Sequence, residues 1–177
     1  MDNLLAYGDT LPEIGEGVFL APSAVLIGDV SAGLDASFWF QVVVRGDVNY
    51  IRIGDRTNIQ DSSTLHVTTQ KHPLVIGNGV TVGHGVIAHG CRVEDDCLLG
   101  IGSRILDGAV IERGSIVGAG SVVTQGSRIP AGHLALGIPA KPVRLLKEDE
   151  KELITRTAEN YVKLKNIYLI QAHKENT

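Results

Sequence analysis

The sequence predicts an all-β solenoid, a left-handed parallel β-helix of hexapeptide repeats, followed by a C-terminal α-helix. Two observations predict it. From residue 87 to residue 134 the chain reads as eight consecutive six-residue units: IAHGCR, VEDDCL, LGIGSR, ILDGAV, IERGSI, VGAGSV, VTQGSR and IPAGHL. The first position of each unit is aliphatic throughout: Ile87, Val93, Leu99, Ile105, Ile111, Val117, Val123 and Ile129. The fifth is small (Cys91, Cys97, Ser103, Ala109, Ser115, Ser121, Ser127) until His133, and the fourth is Gly in every unit but the one with Asp96. A period of six is neither that of a helix nor that of an antiparallel strand. It is the period of a coil with three flat faces, in which three units make one turn and successive turns stack in parallel. The aliphatic position fills the inside of each face, the small position sits at the crowded corner, and Gly suits a turn of positive φ.

Taken in order, the N-terminal segment (Phe19, Val25, Val30, then the apolar run Phe38 to Val44 with the single tryptophan, Trp39) reads as the first coils. Ile53, Ile59 and Leu65 form a three-unit run that ends in a polar excursion, TTQKHP. Ile76 and Val82 resume the period, and Ile87 arrives one residue early, which places a phase slip between His84 and His89. A span from about residue 14 to residue 136 gives about seven coils, each rising roughly 4.8 Å. The repeat stops at GIPAKPVR, where Pro139 and Pro142 cannot continue a ladder. The chain then divides into a β-helix domain, residues 1–146, and a helix, residues 147–177, that packs on it. Asp149 with Glu152 resembles a capping pair. Ile154, Ala158, Tyr161 and Tyr168, widened by Leu153, Leu164 and Ile167, form an apolar stripe that must be buried.

The chain has 177 residues, 44% hydrophobic and 5% aromatic, which fits one domain with a core of Val, Ile and Leu. A net charge of −4 argues against nucleic acid or an anionic membrane as partner. No apolar run approaches the roughly 20 residues of a membrane span, and MDNLLAYGDT lacks the layout of a signal peptide. A cytoplasmic location is the expectation. Cys91 and Cys97 both occupy the small inward position, so they read as buried, reduced core residues.

Three of the six histidines, His66, His84 and His89, fall close together in the sequence. His66 and His84 are separated by three hexapeptide lengths, one full coil, so they are expected to stack on the same side, with His89 a little further on. Such a group suits zinc, which takes three neutral imidazoles and keeps a fourth tetrahedral position for water. Fe2+ or Co2+ suits the same ligands. His66 is second in its unit and His84 third, so their side chains point to different sides. Three copies around a threefold axis could then bring His66 and His89 of one chain against His84 of the next. His72, His133 and His173 carry no assigned role.

These residues together resemble the gamma-class carbonic anhydrases. FWFQVVVRGDV resembles the Trp-containing strand that ends in Arg-Gly-Asp, DRTNIQDSSTLHV the Asn-x-Gln-Asp motif with a following ligand His, and VGHGVIAHGC the pair of ligand histidines. The similarity runs over nearly the whole chain. It implies a homotrimer with three interfacial metal sites, His66 and His89 coming from one subunit and His84 from its neighbour. It implies reversible hydration of CO2 to bicarbonate by a metal-bound hydroxide. Gln60 matches the residue that bonds the reacting water, and Asn58 a polar neighbour. Arg45, Asp47 and Asp61 match the inter-subunit ion-pair set, and Tyr161 a tyrosine that reaches the site. The chain departs from the family at Val48, where a Glu is usual, and in TTQKHP, which lacks the usual acidic proton shuttle.

Two other functions compete. Acyl-CoA transferases and thioesterases share the repeat and the GIPAKPVR ending, but they need one general-base His and a long cleft for the pantetheine arm. A non-catalytic metal-binding assembly protein is the other, favoured by the absent carboxylates.

Overall fold

A computed structural model describes residues 3–175, with the side chains of His173 and Glu175 outside the described atoms. It is a parallel β-helix of short strands with one helix, Glu148–Glu175. The coils have three faces. The first stacks Leu20, Phe38, Ile59, Val82, Leu99, Val117 and Ala135 in parallel register, seven rungs, in agreement with the seven coils expected from the repeat. The second stacks Leu26, Val44, Leu65, Ala88, Ile105 and Val123. The third stacks Ile14, Ala32, Ile53, Ile76, Val93, Ile111 and Ile129. Most of these residues are fully buried, and they form one continuous aliphatic core. Each fully buried aliphatic side chain contributes about 1.5–3 kcal/mol.

The turn glycines behave as the repeat requires. Gly90, Gly102, Gly108, Gly114, Gly120, Gly126 and Gly132 all have positive φ, and Asp96, which replaces Gly in one unit, takes φ 55°. Asp is among the few residues that enter this region at modest cost.

Along each coil the step from one inward residue to the next is six residues, except at the corner between the second and third faces. There Leu26 to Ala32 is six, Val44 to Ile53 nine, Leu65 to Ile76 eleven and Ala88 to Val93 five. All three irregular coils therefore deviate at one corner. This corrects two readings of the sequence. Ala88, fully buried, and not Ile87, 38% exposed, takes the core position. The phase slip, expected between His84 and His89, consequently falls after Ala88, in the five-residue step to Val93.

The repeat ends in an antiparallel hairpin, His133–Gly137 with Ala140–Leu145. Pro142 lies within its outer strand, opposite Ala135, at an edge where the missing N–H costs no ladder bond. The helix start also differs from the expected Asp149–Glu152 cap. Glu150 accepts from the Lys147 N–H at 2.8 Å and clasps Arg144 through both oxygens, so Lys147 is the capping position. The inward helical stripe is Ile154, Ala158 and Lys165, which are buried, with Tyr161 and Tyr168, which are partly buried, while Leu153, Leu164 and Ile167 are exposed on the chain. Lys165 is only 1% exposed, and its Nζ bonds Asp35 Oδ1 and Asn166 Oδ1, both at 2.7 Å.

Phe19, Trp39, Tyr161 and Tyr168 hold the helix to the first face. Their ring centroids are 5.1–5.4 Å apart in the four contacting pairs, each worth about 0.5–1.5 kcal/mol beyond area burial. The Trp39 indole N–H donates to Ser37 Oγ at 3.1 Å, which satisfies it inside the core. No helix among the described residues is long and apolar enough to cross a membrane.

Candidate metal centre

The second face carries the candidate residues on its two edges. At its end, the corner of irregular length, the strands Thr64–His66 and Ile87–His89 pair so that His66 lies directly opposite His89. His66 therefore stacks on His89, a sequence separation of 23, and not on His84, one regular coil away. The excursion TTQKHP lengthens that coil by five residues, and the stacking partner moves with it. His66 Nδ1 and His89 Nε2 stand 3.1 Å apart.

Each of these two rings is held from its other nitrogen by a carboxylate. His66 Nε2 meets Asp47 Oδ1 at 3.0 Å, and Asp47 also pairs with Arg45 through its second oxygen. His89 Nδ1 meets Asp107 Oδ1 at 2.5 Å, and Thr68 Oγ1 donates to Asp107 Oδ2 at 2.7 Å. Burial pushes both carboxyls upward. For Asp47 the bonds from His66 and Arg45 outweigh it, and for Asp107 those from His89 and Thr68 do, so both stay below their ordinary range. They remain ionised acceptors at neutral pH.

At the start of the second face lies the other group. His84 Nδ1 bonds Asp61 Oδ2 at 2.7 Å, in the coil below. Asn58 and Gln60 are buried just before that corner: Gln60 Nε2 donates to Asn58 Oδ1 at 3.1 Å, and Asn58 Nδ2 to Thr81 Oγ1 at 3.0 Å. Tyr161 packs edge-on against Trp39. Burial, then the nearby charge of Asp61, raises its hydroxyl above the ordinary tyrosine value. Arg45 and Asp47 thus pair within one chain, while Asp61 holds His84.

His84 sits in the turn that precedes the face and His89 at the end of its strand Ile87–His89, so the chain between them crosses the width of the face. Among the described residues no group of three His, Cys, Asp or Glu within the chain is arranged to hold a metal. Cys91 and Cys97 face the core, and burial pushes each thiol up to about 12, so neither serves as a thiolate ligand at neutral pH.

The donors nevertheless fit a metal. Two nitrogens each 2.0–2.1 Å from a tetrahedral zinc are about 3.3–3.4 Å apart, close to the 3.1 Å between His66 and His89. Rings backed by carboxylates on the far nitrogen are the usual support of such ligands.

Comparison with known proteins agrees in part. The family model for bacterial transferase hexapeptide (six repeats) matches residues 90–125. A probable carbonic anhydrase of Methanocaldococcus jannaschii is 52% identical over 85% of this chain and 94% of its own. Mitochondrial gamma carbonic anhydrase 2 of Arabidopsis thaliana is 44% identical over 97% of this chain and 63% of its own. The chain belongs to the gamma-class carbonic anhydrase family. A Bacillus cereus crystal structure described as a putative acetyltransferase also matches this family member, with TM-score 0.91 and 44% identity over 93% of this chain and 95% of its own.

In this gamma-class relative, sequence reasoning missed Asp107 and Thr68. A signal for Asp107 existed: it follows His89 at a separation of 18, one regular coil on, in the unit ILDGAV. Thr68 carried none, because it sits inside the excursion where the period is lost. Val48 is partly buried against the core. His72 lies near enough to Asp107 for its charge to lower that carboxyl.

Proposed function

We propose that three copies of this chain enclose divalent-metal sites, zinc in the first instance, that interconvert CO2 and bicarbonate. His66 and His89 come from one copy and His84 from its neighbour. The observation that carries this reading is the pair of imidazole nitrogens 3.1 Å apart, each ring braced by a carboxylate, on an edge opposite the one that bears His84. The two edges of one face hold complementary halves of a site, and a head-to-tail ring of three joins them.

When bound, such a cation would lower the pKa of a water from its bulk value to about 7, a value established on carbonic anhydrase itself, and so supply hydroxide at neutral pH. This chain's residues do the rest. With Nδ1 committed to Asp61, His84 presents Nε2 across the interface. Gln60, anchored by an amide N–H to Asn58 Oδ1, offers its carbonyl oxygen to the proton of the attacking oxygen and so orients it. Tyr161 lies on the same side, near Asp61, where it can pass a proton outward. No carboxylate of TTQKHP assists, and Val48 faces the core, so proton removal rests on Tyr161 and on buffer.

Mixing the His66→Ala and His84→Ala proteins under conditions of subunit exchange tests this arrangement. Each alone should lose stoichiometric zinc and CO2 hydration. The mixture should regain both, because some mixed interfaces carry neither substitution. Confirmed exchange with no recovery of metal would refute the shared site. Recovered metal without hydration would refute the reaction alone.

A further inference from the structure

We propose that Asp107, itself held by Thr68, is a positioning residue that fixes the tautomer and aim of His89. This rests on the metal reading above and extends it to a residue one coil away from any ligand in sequence.

Both oxygens of Asp107 are committed. Oδ1 lies 2.5 Å from His89 Nδ1, and Oδ2 accepts from Thr68 Oγ1 at 2.7 Å. The two partners come from different parts of the chain: His89 ends a strand one coil below, and Thr68 lies 39 residues before Asp107, in the excursion TTQKHP. The loop that lengthens this corner therefore has a structural task, which is to reach over and hold the carboxylate.

The neighbouring coil is shortened for the same contact. Gly90 turns the chain directly after His89 with φ 52°, its N–H donating to His66 O at 3.0 Å, and Gly108 N–H donates to Gly90 O at 2.7 Å. A Cβ on Gly90 would collide with Asp107 Oδ1, so only glycine leaves room for the carboxylate to lie on the imidazole.

Donors and acceptors then fix the direction of the bond. An ionised carboxylate only accepts, so His89 must carry its proton on Nδ1. In the neutral ring this leaves the Nε2 lone pair facing His66 Nδ1, 3.1 Å away. Without Asp107 the proton is free to move to Nε2 and block the position a cation needs. Asp47 differs, because it shares its charge with Arg45. The Asp107 carboxylate has no arginine or lysine among its bonding partners in the described structure, only His89 and Thr68.

The test uses the metal-free protein with 15N-labelled histidine, followed by zinc titration against a chromophoric chelator. Wild-type His89 should show the Nδ1–H tautomer before any metal is added. Asp107→Ala should shift it towards Nε2–H and weaken zinc binding by about 10–100-fold. Asp107→Asn can still accept from Nδ1–H and donate to Thr68, so it should restore the tautomer and most of the affinity. Thr68→Val, nearly isosteric, should give a smaller loss. The two conservative variants keep the corner filled should alanine loosen it.

A wild-type His89 protonated at Nε2, or Asp107→Ala with native tautomer and native affinity, would overturn the proposal. If the wild type binds no zinc, the metal reading falls, while the tautomer of His89 still decides the role of Asp107. An Asp107→Asn protein as impaired as Asp107→Ala in tautomer also counts against positioning.

Discussion

Replacing Gly90 by alanine adds one methyl group where His89 meets Asp107, and a matched control exists at the same corner. Gly90 has φ 52°, and its Cβ would collide with Asp107 Oδ1 and lie 2.8 Å from His72 Cβ. Gly126 stands two coils further on with φ 68° and nothing within 4 Å of its Cβ. The left-handed conformation costs an L-residue about 1–2 kcal/mol at either position. Asp107 is a flexible end and can swing away, but His72 Cβ and the His72 carbonyl, 3.1 Å off, are main-chain or close to it. Overpacking of this kind adds about 1–3 kcal/mol. Gly126→Ala should therefore lose about 1–2 kcal/mol and Gly90→Ala about 2–5 kcal/mol. At about 2–4 °C per kcal/mol for a chain of this size, the difference between them is about 2–12 °C in Tm. Scanning calorimetry of the metal-free proteins measures it, and zinc titration should show weakened binding in Gly90→Ala only. Equal melting temperatures for the two variants, or native zinc affinity in Gly90→Ala, would refute the claim that this corner is packed around Asp107.

Two further outcomes are expected. Glu150, clasped by Arg144 and the Lys147 N–H, has its carboxyl pushed down from 4.5 to about 2. A lowered folded-state value adds stability that is complete above 4.5 and lost as pH falls toward 2. Glu150→Gln should thus flatten the stability profile across that range, and an unchanged acid limb followed by circular dichroism would contradict it. At the buried Lys165, Asp35→Ala should cost about 1–3 kcal/mol in denaturant unfolding by leaving the ammonium without its carboxylate and with Asn166 Oδ1 alone. Lys165→Met, which keeps the stem and removes the charge, should cost less. The reverse order would show that the ion pair itself, and not the unpaired charge, dominates.

The solenoid was legible because a six-residue period has few physical alternatives, and its coil number followed from length alone. What the period could not resolve was phase where two apolar residues adjoin. In the pair Ile87–Ala88 the larger residue is the natural choice for the core, yet the pleat turns Ala88 inward. Coil length was hidden for a similar reason: the number of residues in TTQKHP that leave the coil cannot be counted without the ladder. His66 was therefore matched with His84 rather than with His89. The three histidines stood out as a set, and so did the difference in their directions, because alternation along a strand is local. Asp107 did not stand out, because a carboxylate in a turn is the commonest sight on such a surface. Lys165 was overlooked because a lysine at a stripe position reads as an interruption, although its stem fills the place of a leucine and its charge finds Asp35.

The height of each histidine along the solenoid axis has a consequence for assembly. His84 and His89 lie in one turn, between the inward residues Val82 and Val93, and His66 lies one rung below His89. Rungs are roughly 4.8 Å apart. Copies that share a cation between these edges must be related by rotation with almost no translation. A slip of one rung per copy, the operation that turns a closed ring into a climbing filament, would move His84 away by more than twice a metal–nitrogen bond of about 2.0–2.1 Å. If copies do share a cation there, as proposed, the site would act as a level: it would admit a flat ring and reject a screw, so that a metal-loaded assembly would be finite by geometry rather than by surface chemistry.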